Sequence, residues 1–480
     1  MRKLFSFIII VLVTVNIVGC SQGLFLWETL VIPQPEDQNV EEVQSIEEEQ
    51  PIVGEIVEDV QEDEQYQNEQ YEDGQEANSE QQLEDNSNQN KIDADEGIAQ
   101  ETDKKTTEEI VEEISQEDKK TAEIIREFNT ALPAEINMNI KYDKYPIGFD
   151  YLLILKAAKV RQGPGLDEEV IHVFQANEKV SLIAEVKGEY IDKWGSDSWY
   201  QIEWKERSET KTGFVYAPLA EVRRFQFDKM AEALRFLKEE SNRGELAHIS
   251  NYKNVNGIPP KLNGSTWDGF GYRRSQSAAG HDSPQKGKNF RYIPDGMLLH
   301  VLEERDGFTK VKVIGWEGEY WVQSKYINRK NTLKELRKVI IIDRKFQNEA
   351  VFEFSGGKWS LISYTSATTG KNGPYSLETP LGYYMAIQKR DRFFYFKDGT
   401  QEIAGYSPYS IRFSGGGYIH GVPVNYIIKE GKQIDPGMKE YASTIGTIPL
   451  SHMCVRNYTS HAKFLYDWVE IGNSAIIVIE

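Results

Sequence analysis

The chain has 480 residues, of which 39% are hydrophobic, with two cysteines, seven histidines and a formal charge of −21. The charge is localised: Val31 to Lys120 holds 31 acidic residues and 5 lysines, and the remainder holds 45 acidic and 50 basic residues. An excess of about five positive charges over so long a remainder suits an anionic polymer only weakly, and no nucleic-acid partner is expected. The scattered histidines form no His-x-x-x-His pair and the cysteines no Cys-x-x-Cys pair, so neither a metal nor another cofactor is expected.

In chain order, Met1-Arg2-Lys3 is basic and Leu4 to Val18 is an apolar run too short for a comfortable membrane span. Ile17-Val18-Gly19-Cys20 then resembles the bacterial lipobox. The resemblance implies a signal peptide over 1–19, cleavage before Cys20 and diacylglycerol on its sulfur. An ordinary export signal with an accidental cysteine is the alternative. With Cys20 lipidated, Cys454 is a free thiol. No other stretch reaches the roughly 18 apolar residues of a membrane helix, so the protein is expected to be exported and held by lipid, facing the cell wall. Ser21 follows the cysteine in place of a retention aspartate, which favours the outer membrane of a Gram-negative periplasm.

Residues 20–128 read as an acidic, disordered tether, because runs such as "QEDEQYQNEQYEDGQEANSE" cannot bury enough surface to offset their ordering entropy. Within 105–127, Ile110, Ile114 and Ile124-Ile125 have helical spacing, and a marginal helix is expected there. From about Ile147 short apolar runs alternate with turn residues, the signature of small antiparallel β domains. The stretch 147–225 resembles a bacterial SH3-like domain, carried by Val160-Arg161-Gln162-Gly163-Pro164-Gly165, Trp199-Tyr200-Gln201-Ile202 and Thr212-Gly213-Phe214-Val215. Met230, Leu234 and Leu237 share one helical face, which makes 226–249 a connector helix. Residues 250–330 read as a second, divergent SH3-like domain, because Gly318-Glu319-Tyr320-Trp321-Val322 echoes the first unit; 261–289 is a polar loop inside it. The fold class is mainly β: two small SH3-like barrels and a β-rich C-terminal domain over 337–480.

The last domain carries the chemistry. A thiol becomes a nucleophile when a base or cation lowers its pKa. His452 and Arg456 flank Cys454 at two residues on either side, so an extended backbone puts all three side chains on one face. His420 lies upstream in "SGGGYIHGVPV". A cysteine and a distant histidine joined by the fold suit thiol acyl transfer, with nearby backbone N–H groups as an oxyanion hole. A buried structural cysteine with ordinary surface histidines fits the same residues.

Ser451-His452-Met453-Cys454-Val455-Arg456-Asn457 resembles the signature of the L,D-transpeptidase catalytic domain (YkuD-type). Ser366-Ala367-Thr368-Thr369-Gly370 with Thr379-Pro380-Leu381-Gly382-Tyr383-Tyr384, Pro408 to Phe413 with Gly417-Tyr418-Ile419-His420-Gly421, and Phe464 to Trp468 match its other pieces in order. The resemblance implies Cys454 as nucleophile, His420 as general base and His452 as an aid to the thiol or oxyanion. Ser451 supports the oxyanion or the loop, and Arg456 and Asn457 brace the loop or bind the donor carboxylate. The N–H groups of Met453 and Cys454 hold the oxyanion, and Thr379, Gly382, Tyr418 and Gly421 lie on the substrate side. The implied partners are peptidoglycan stem peptides, joined by 3–3 cross-links through a Cys454 thioester. Hydrolysis (L,D-carboxypeptidase), amine exchange or protein anchoring at the same site, and an inactive wall-binding lipoprotein, are the alternatives. A papain-like peptidase fits poorly, since His420 precedes the cysteine and His461 follows it too closely. Two departures stand out. Met453 replaces the usual glycine, and about 30 residues separate His420 from Ser451 where the family has about half that, so 422–450 reads as an inserted lid.

Overall fold

The computed structural model describes residues 122–373, 376–397, 400 and 402–480; the expected signal peptide, Cys20 and the tether up to residue 121 lie outside them. The described chain is mainly β-strand. Among the described residues there are two α-helices, α1 (Phe227–Arg243) and α2 (Thr459–Trp468).

The first sheet runs from Asp150–Ile154 to Ala220–Arg224, with a 3-10 turn at Ala217–Leu219 before its last strand. Alternation of buried and open positions along Lys179–Ile191 shows why the sequence pairs here: Val180, Leu182, Ala184 and Val186 point to the core. The second sheet runs from Leu246–Ile249 to Ile327–Leu333 and repeats the first strand for strand, in the same lateral order and with its own 3-10 turn at Ser324–Tyr326. Two SH3-like units therefore follow one another, the second with a longer excursion between its first two strands.

Two expectations about this half need correction. The connector helix stops at Arg243, before Gly244, and Leu246–Ile249 is already a strand of the second unit. Gly is a common residue just past a helix end, and the apolar "LAHI" that follows is fully buried between neighbouring strands. Of the expected helix over 105–127, residues 105–121 lie outside the described residues, and Ile124–Glu127 is a strand that pairs antiparallel with Lys179–Ile191, Ile124 opposite Val186. Backbone pairing at an open edge wins there over helical spacing, so the tether does not extend to residue 128. The segment between tether and first unit, which falls in none of the domains expected from sequence, joins a sheet of the C-terminal domain, where Ile136–Met138 adds a parallel strand beside Lys358–Ser366.

Among the described residues the C-terminal domain holds two large sheets and a two-stranded hairpin, Ile427–Lys429 with Lys432–Ile434. Six strands run in the order Ile136–Met138, Lys358–Ser366, Asn348–Ser355, Lys338–Asp343, Ser474–Ile479, Gly382–Met385. Its central strand "KVIIID" carries four consecutive apolar residues, Val339 to Ile342, because both faces are covered. Val339 and Ile341 pack under α1 with Met230, Leu234 and Leu237; Ile340 and Ile342 pack on the other side with the second SH3-like unit (Met297, Leu299, Val311) and with Ile411 and Phe413. The second unit and the C-terminal domain thus share one continuous core. The other sheet (Gln388–Phe396, Ile403–Ser414, Gly417–His420, Val455–Arg456) carries the candidate site on its last two strands.

Candidate active site

Gly417–His420 and Val455–Arg456 lie side by side in parallel, Ile419 opposite Val455 and His420 opposite Arg456. This register brings Cys454 beside Tyr418 although the two are far apart in sequence. The pair is locked from three sides. Asn457 donates its N–H to the His420 carbonyl at 2.8 Å; Arg456 and Thr368 exchange backbone hydrogen bonds at 2.8 and 3.0 Å; Met453 donates its N–H to Leu377 O at 2.7 Å.

Cys454 is 2% exposed. Its thiol donates to Gly416 O at 3.6 Å, in the turn that joins Ile403–Ser414 to Gly417–His420. Burial pushes the thiol up to about 11, against the opposing effects of the Tyr418 backbone N–H and the Arg456 guanidinium. His420 is also buried. Its Nδ1 donates to Gly421 O at 2.6 Å, which leaves Nε2 as the ring's lone-pair nitrogen, and among the described residues Nε2 has no hydrogen-bond partner. Burial pushes this imidazole down to about 4; the Gly421 carbonyl opposes the shift and Arg456 reinforces it. At neutral pH both groups are uncharged. The site therefore holds a neutral thiol and a neutral imidazole, not a preformed ion pair.

The flanking residues differ from the extended picture. Residues 452 and 453 form a bend, and Met453 has φ +65°, in the left-handed region. His452, Cys454 and Arg456 are therefore not placed on one face by strand alternation. The position keeps the backbone that glycine adopts freely and holds it with a methionine. The Met453 N–H is occupied by Leu377 O, so it does not serve the oxyanion. His452 is buried in the bend.

The remaining expected residues are braces. Ser451 Oγ donates to Cys454 O. Thr379 Oγ1 accepts from Gly370 N at 2.8 Å and donates to Met453 O at 3.0 Å, tying two loops together. Tyr418 is fully buried, its ring stacked on Phe393 at 4.2 Å and its hydroxyl 3.2 Å from Tyr252 of the second SH3-like unit. Gly421 packs so close that a Cβ would stand 2.9 Å from Thr459 Oγ1, and Gly382 abuts Met297 in the same manner at 2.5 Å. These four touch neighbouring protein, not an open substrate surface.

Sequence reasoning missed a buried chain behind the loop. His461 Nδ1 stands 2.9 Å from Asn457 Oδ1 and 3.1 Å from Glu349 Oε1, and its Nε2 is 2.8 Å from Ser363 Oγ. The only local signal is the four-residue spacing of Asn457 and His461 at the start of α2.

The segment 422–450 is a strap. Its hairpin Ile427–Lys429/Lys432–Ile434 stands exposed. Its second half is fastened by the first SH3-like unit, where buried Lys179 Nζ donates to Ser443 O at 3.3 Å and to Ile445 O, and Arg223 donates to Thr447 O at 2.8 Å. The protein that lies on the thiol is instead the Gly416 turn.

Residues 337–478 match the family model described as the L,D-transpeptidase catalytic domain, and residues 156–219 match that of the bacterial SH3 domain. No curated protein matches the chain. Among solved structures, a fused Zn-dependent amidase/peptidase/peptidoglycan-binding domain-containing protein of Clostridium acetobutylicum is 21% identical over 30% of this chain and 52% of its own, with a TM-score of 0.21. The chain thus spans about half the length of that protein. An L,D-transpeptidase of Mycobacterium smegmatis is 16% identical over 38% of this chain and 82% of its own, with a TM-score of 0.24. L,D-transpeptidase 1 of Mycobacterium tuberculosis is 16% identical over 34% and 78%, with a TM-score of 0.21. Residues 337–478 are thus similar to the L,D-transpeptidase catalytic domain, and residues 156–219, ahead of them, to the bacterial SH3 domain.

Proposed function

We propose that the chain is a peptidoglycan L,D-transpeptidase that works through a Cys454 thioester. The observation that carries this is the His420 tautomer: Nδ1 is committed to Gly421 O, and Nε2 is left as a buried, unpartnered base on the strand beside the one Cys454 precedes. Nε2 takes the thiol proton as sulfur attacks the L-centre carbonyl of the diamino acid at stem position three. The Cys454 N–H holds the oxyanion. The imidazolium returns its proton to the leaving D-Ala amine. A side-chain amine of a second stem then attacks the thioester, and His420 takes its proton, giving a 3–3 cross-link. The thioester conserves the peptide-bond energy, so the step needs no nucleotide.

The lipobox-like start supports export and attachment through diacylglycerol on Cys20, with Ser21 favouring the outer membrane. Water in place of the amine makes the same site a carboxypeptidase, and other amines give exchange or anchoring. A second reading, a wall-binding lipoprotein with a silent site, draws on the closed thiol and its raised pKa.

The test is intact-protein mass spectrometry of the full chain with a stem tetrapeptide, with Cys454→Ala as control. A tripeptide adduct with released D-Ala, absent from the control, is the expected result. No adduct with the tetrapeptide and none with a carbapenem overturns the reading in favour of the binding lipoprotein.

A further inference from the structure

The first SH3-like unit touches the segment that leads into the Cys454 loop. Antiparallel register puts Lys179 opposite Leu153 and Arg223 opposite Tyr151, on the two strands that flank Asp150–Ile154. Leu153 and Tyr151 are two residues apart on that strand, so the two cations stand on one face of the sheet. That face is docked on the C-terminal domain: Tyr151 Oη donates to Phe346 O at 3.1 Å and accepts from Asn348 Nδ2 at 3.2 Å.

Both cations grip one turn. Lys179 Nζ donates to Ser443 O at 3.3 Å and to Ile445 O, and Arg223 Nη2 donates to Thr447 O at 2.8 Å. Arg223 is buried and is aimed by Glu221, which accepts from its Nε and Nη2 at 3.0 and 3.1 Å. Thr368 holds the same turn from within the C-terminal domain: its Oγ1 accepts from Gly446 N at 2.8 Å and donates to Thr444 O at 3.0 Å. Gly446, at φ +76°, lets the turn lie this close, since a Cβ there would stand 2.4 Å from Ser366 Cβ. Thr368 also exchanges backbone hydrogen bonds with Arg456, two residues past Cys454. Its neighbour Thr369 accepts from Leu450 N and Ser451 N at 3.0 and 3.1 Å, so one strand end holds the Cys454 loop on both sides.

We propose that Lys179 and Arg223 are positioning residues for acyl transfer: they set the 443–447 turn, the turn sets Thr368, and Thr368 sets Arg456 and with it the Cys454 backbone. The proposal rests on the transpeptidase reading. Arg456 lies opposite His420 in the strand pair, so a displaced Arg456 changes the spacing of thiol and imidazole. The first SH3-like unit thereby clamps the active site instead of only spacing it from the rest of the chain. The energetics agree. Burial pushes the Lys179 ammonium down to about 7, and the Arg223 guanidinium beside it adds to the shift. Against an unfolded value of 10.5, this lysine lowers stability at neutral pH, so what it contributes is placement.

The experiment measures single-turnover acylation of the full chain by a stem tetrapeptide, followed by intact-protein mass spectrometry, in the parent, Lys179→Met, Thr368→Val and the double variant. Expected for Lys179→Met is a limiting acylation rate lowered about fivefold or more with half-saturation unchanged. Its melting temperature stays level with the parent's or rises, which separates placement from structural support. Thr368→Val also lowers the rate, and the double variant is no slower than Thr368→Val alone, because both changes act through one turn. A parental rate in Lys179→Met, or a fall that multiplies with that of Thr368→Val, overturns the clamp and leaves the transpeptidase reading standing. A rate that drops only in step with a lowered melting temperature overturns the clamp as well. Amide hydrogen exchange reads the clamp without chemistry: Gly446 and Arg456 exchange several-fold faster in Lys179→Met, and unchanged exchange overturns it. Acylation absent from every version overturns the transpeptidase reading, and the exchange rates then decide the clamp by themselves.

Discussion

Asp295, on the second SH3-like unit, accepts a hydrogen bond from the Gly415 backbone N–H at 3.0 Å. The next residue, Gly416, gives its carbonyl to the Cys454 thiol. The same carboxylate pairs with buried Arg412 through Oδ2 and takes the Asn251 N–H at 2.7 Å through Oδ1. One side chain of the second SH3-like unit thus fixes the turn that holds the Cys454 thiol. Asp295→Ala strands a buried guanidinium and should cost about 3–5 kcal/mol in urea unfolding. Asp295→Asn keeps some hydrogen bonding and loosens the turn. Its Cys454 should be alkylated by iodoacetamide several-fold faster than the parent's; an equal rate argues that the turn does not gate the thiol.

Met453 bears a left-handed backbone that costs an ordinary residue roughly 1–2 kcal/mol and a β-branched one more. Met453→Gly should leave the melting temperature level or raised. Met453→Val should lower stability by about 1–2 kcal/mol. A melting temperature depressed equally by both would mean that side-chain packing, not backbone, governs the position.

Thr379→Val removes a hydroxyl that serves Gly370 N and Met453 O together. Shape is nearly kept, but a buried N–H loses its partner, which costs about 1–3 kcal/mol. Acylation should slow along with the stability loss, since the Met453 carbonyl is released one residue before the thiol.

His461 is hydrogen-bonded to Asn457, whose own N–H holds the His420 carbonyl. His461→Gln retains a donor and should fold; kcat for acylation should fall about tenfold or more while tetrapeptide affinity in the Cys454→Ala background stays unchanged. A change in affinity alone would make the residue a general structural support.

His420 and His248 are both pushed down to about 4 by burial, against an unfolded value of 6.5. Between those values the unfolded chain binds more protons than the folded one. Stability is therefore lost as pH falls from about 6.5 toward 4, by up to roughly 3 kcal/mol for each histidine. Urea midpoints measured across that range check the slope, and His420→Gln should flatten it by one histidine's share.

Much of this was legible because it is local. The run "KVIIID" is a strand, as its β-branched residues suggest, and the ordered pieces around His420 and Cys454 lie on neighbouring strands of one sheet. The errors are long-range. No pattern near Leu377 reveals that its carbonyl occupies the Met453 N–H, and nothing around Glu349 points to His461. Ile124–Glu127 was misread because helical spacing says nothing about a distant open edge. The strap over 422–450 looked like a lid because its length was visible, while its fastening points, Lys179 and Arg223, lie two domains away.

The edge strand Ile124–Glu127 has a mechanical meaning. The chain passes from it to the catalytic sheet at Ile136–Met138 and returns to the first SH3-like unit at Asp150. Tension on the chain before Ala122 loads the antiparallel pairing with Lys179–Ile191 first. That small sheet bears the pull before any of it reaches the strand beside Lys358–Ser366. The loop around Cys454, held by hydrogen bonds of 2.7 to 3.0 Å, is thereby insulated from a pull on the chain at Ala122.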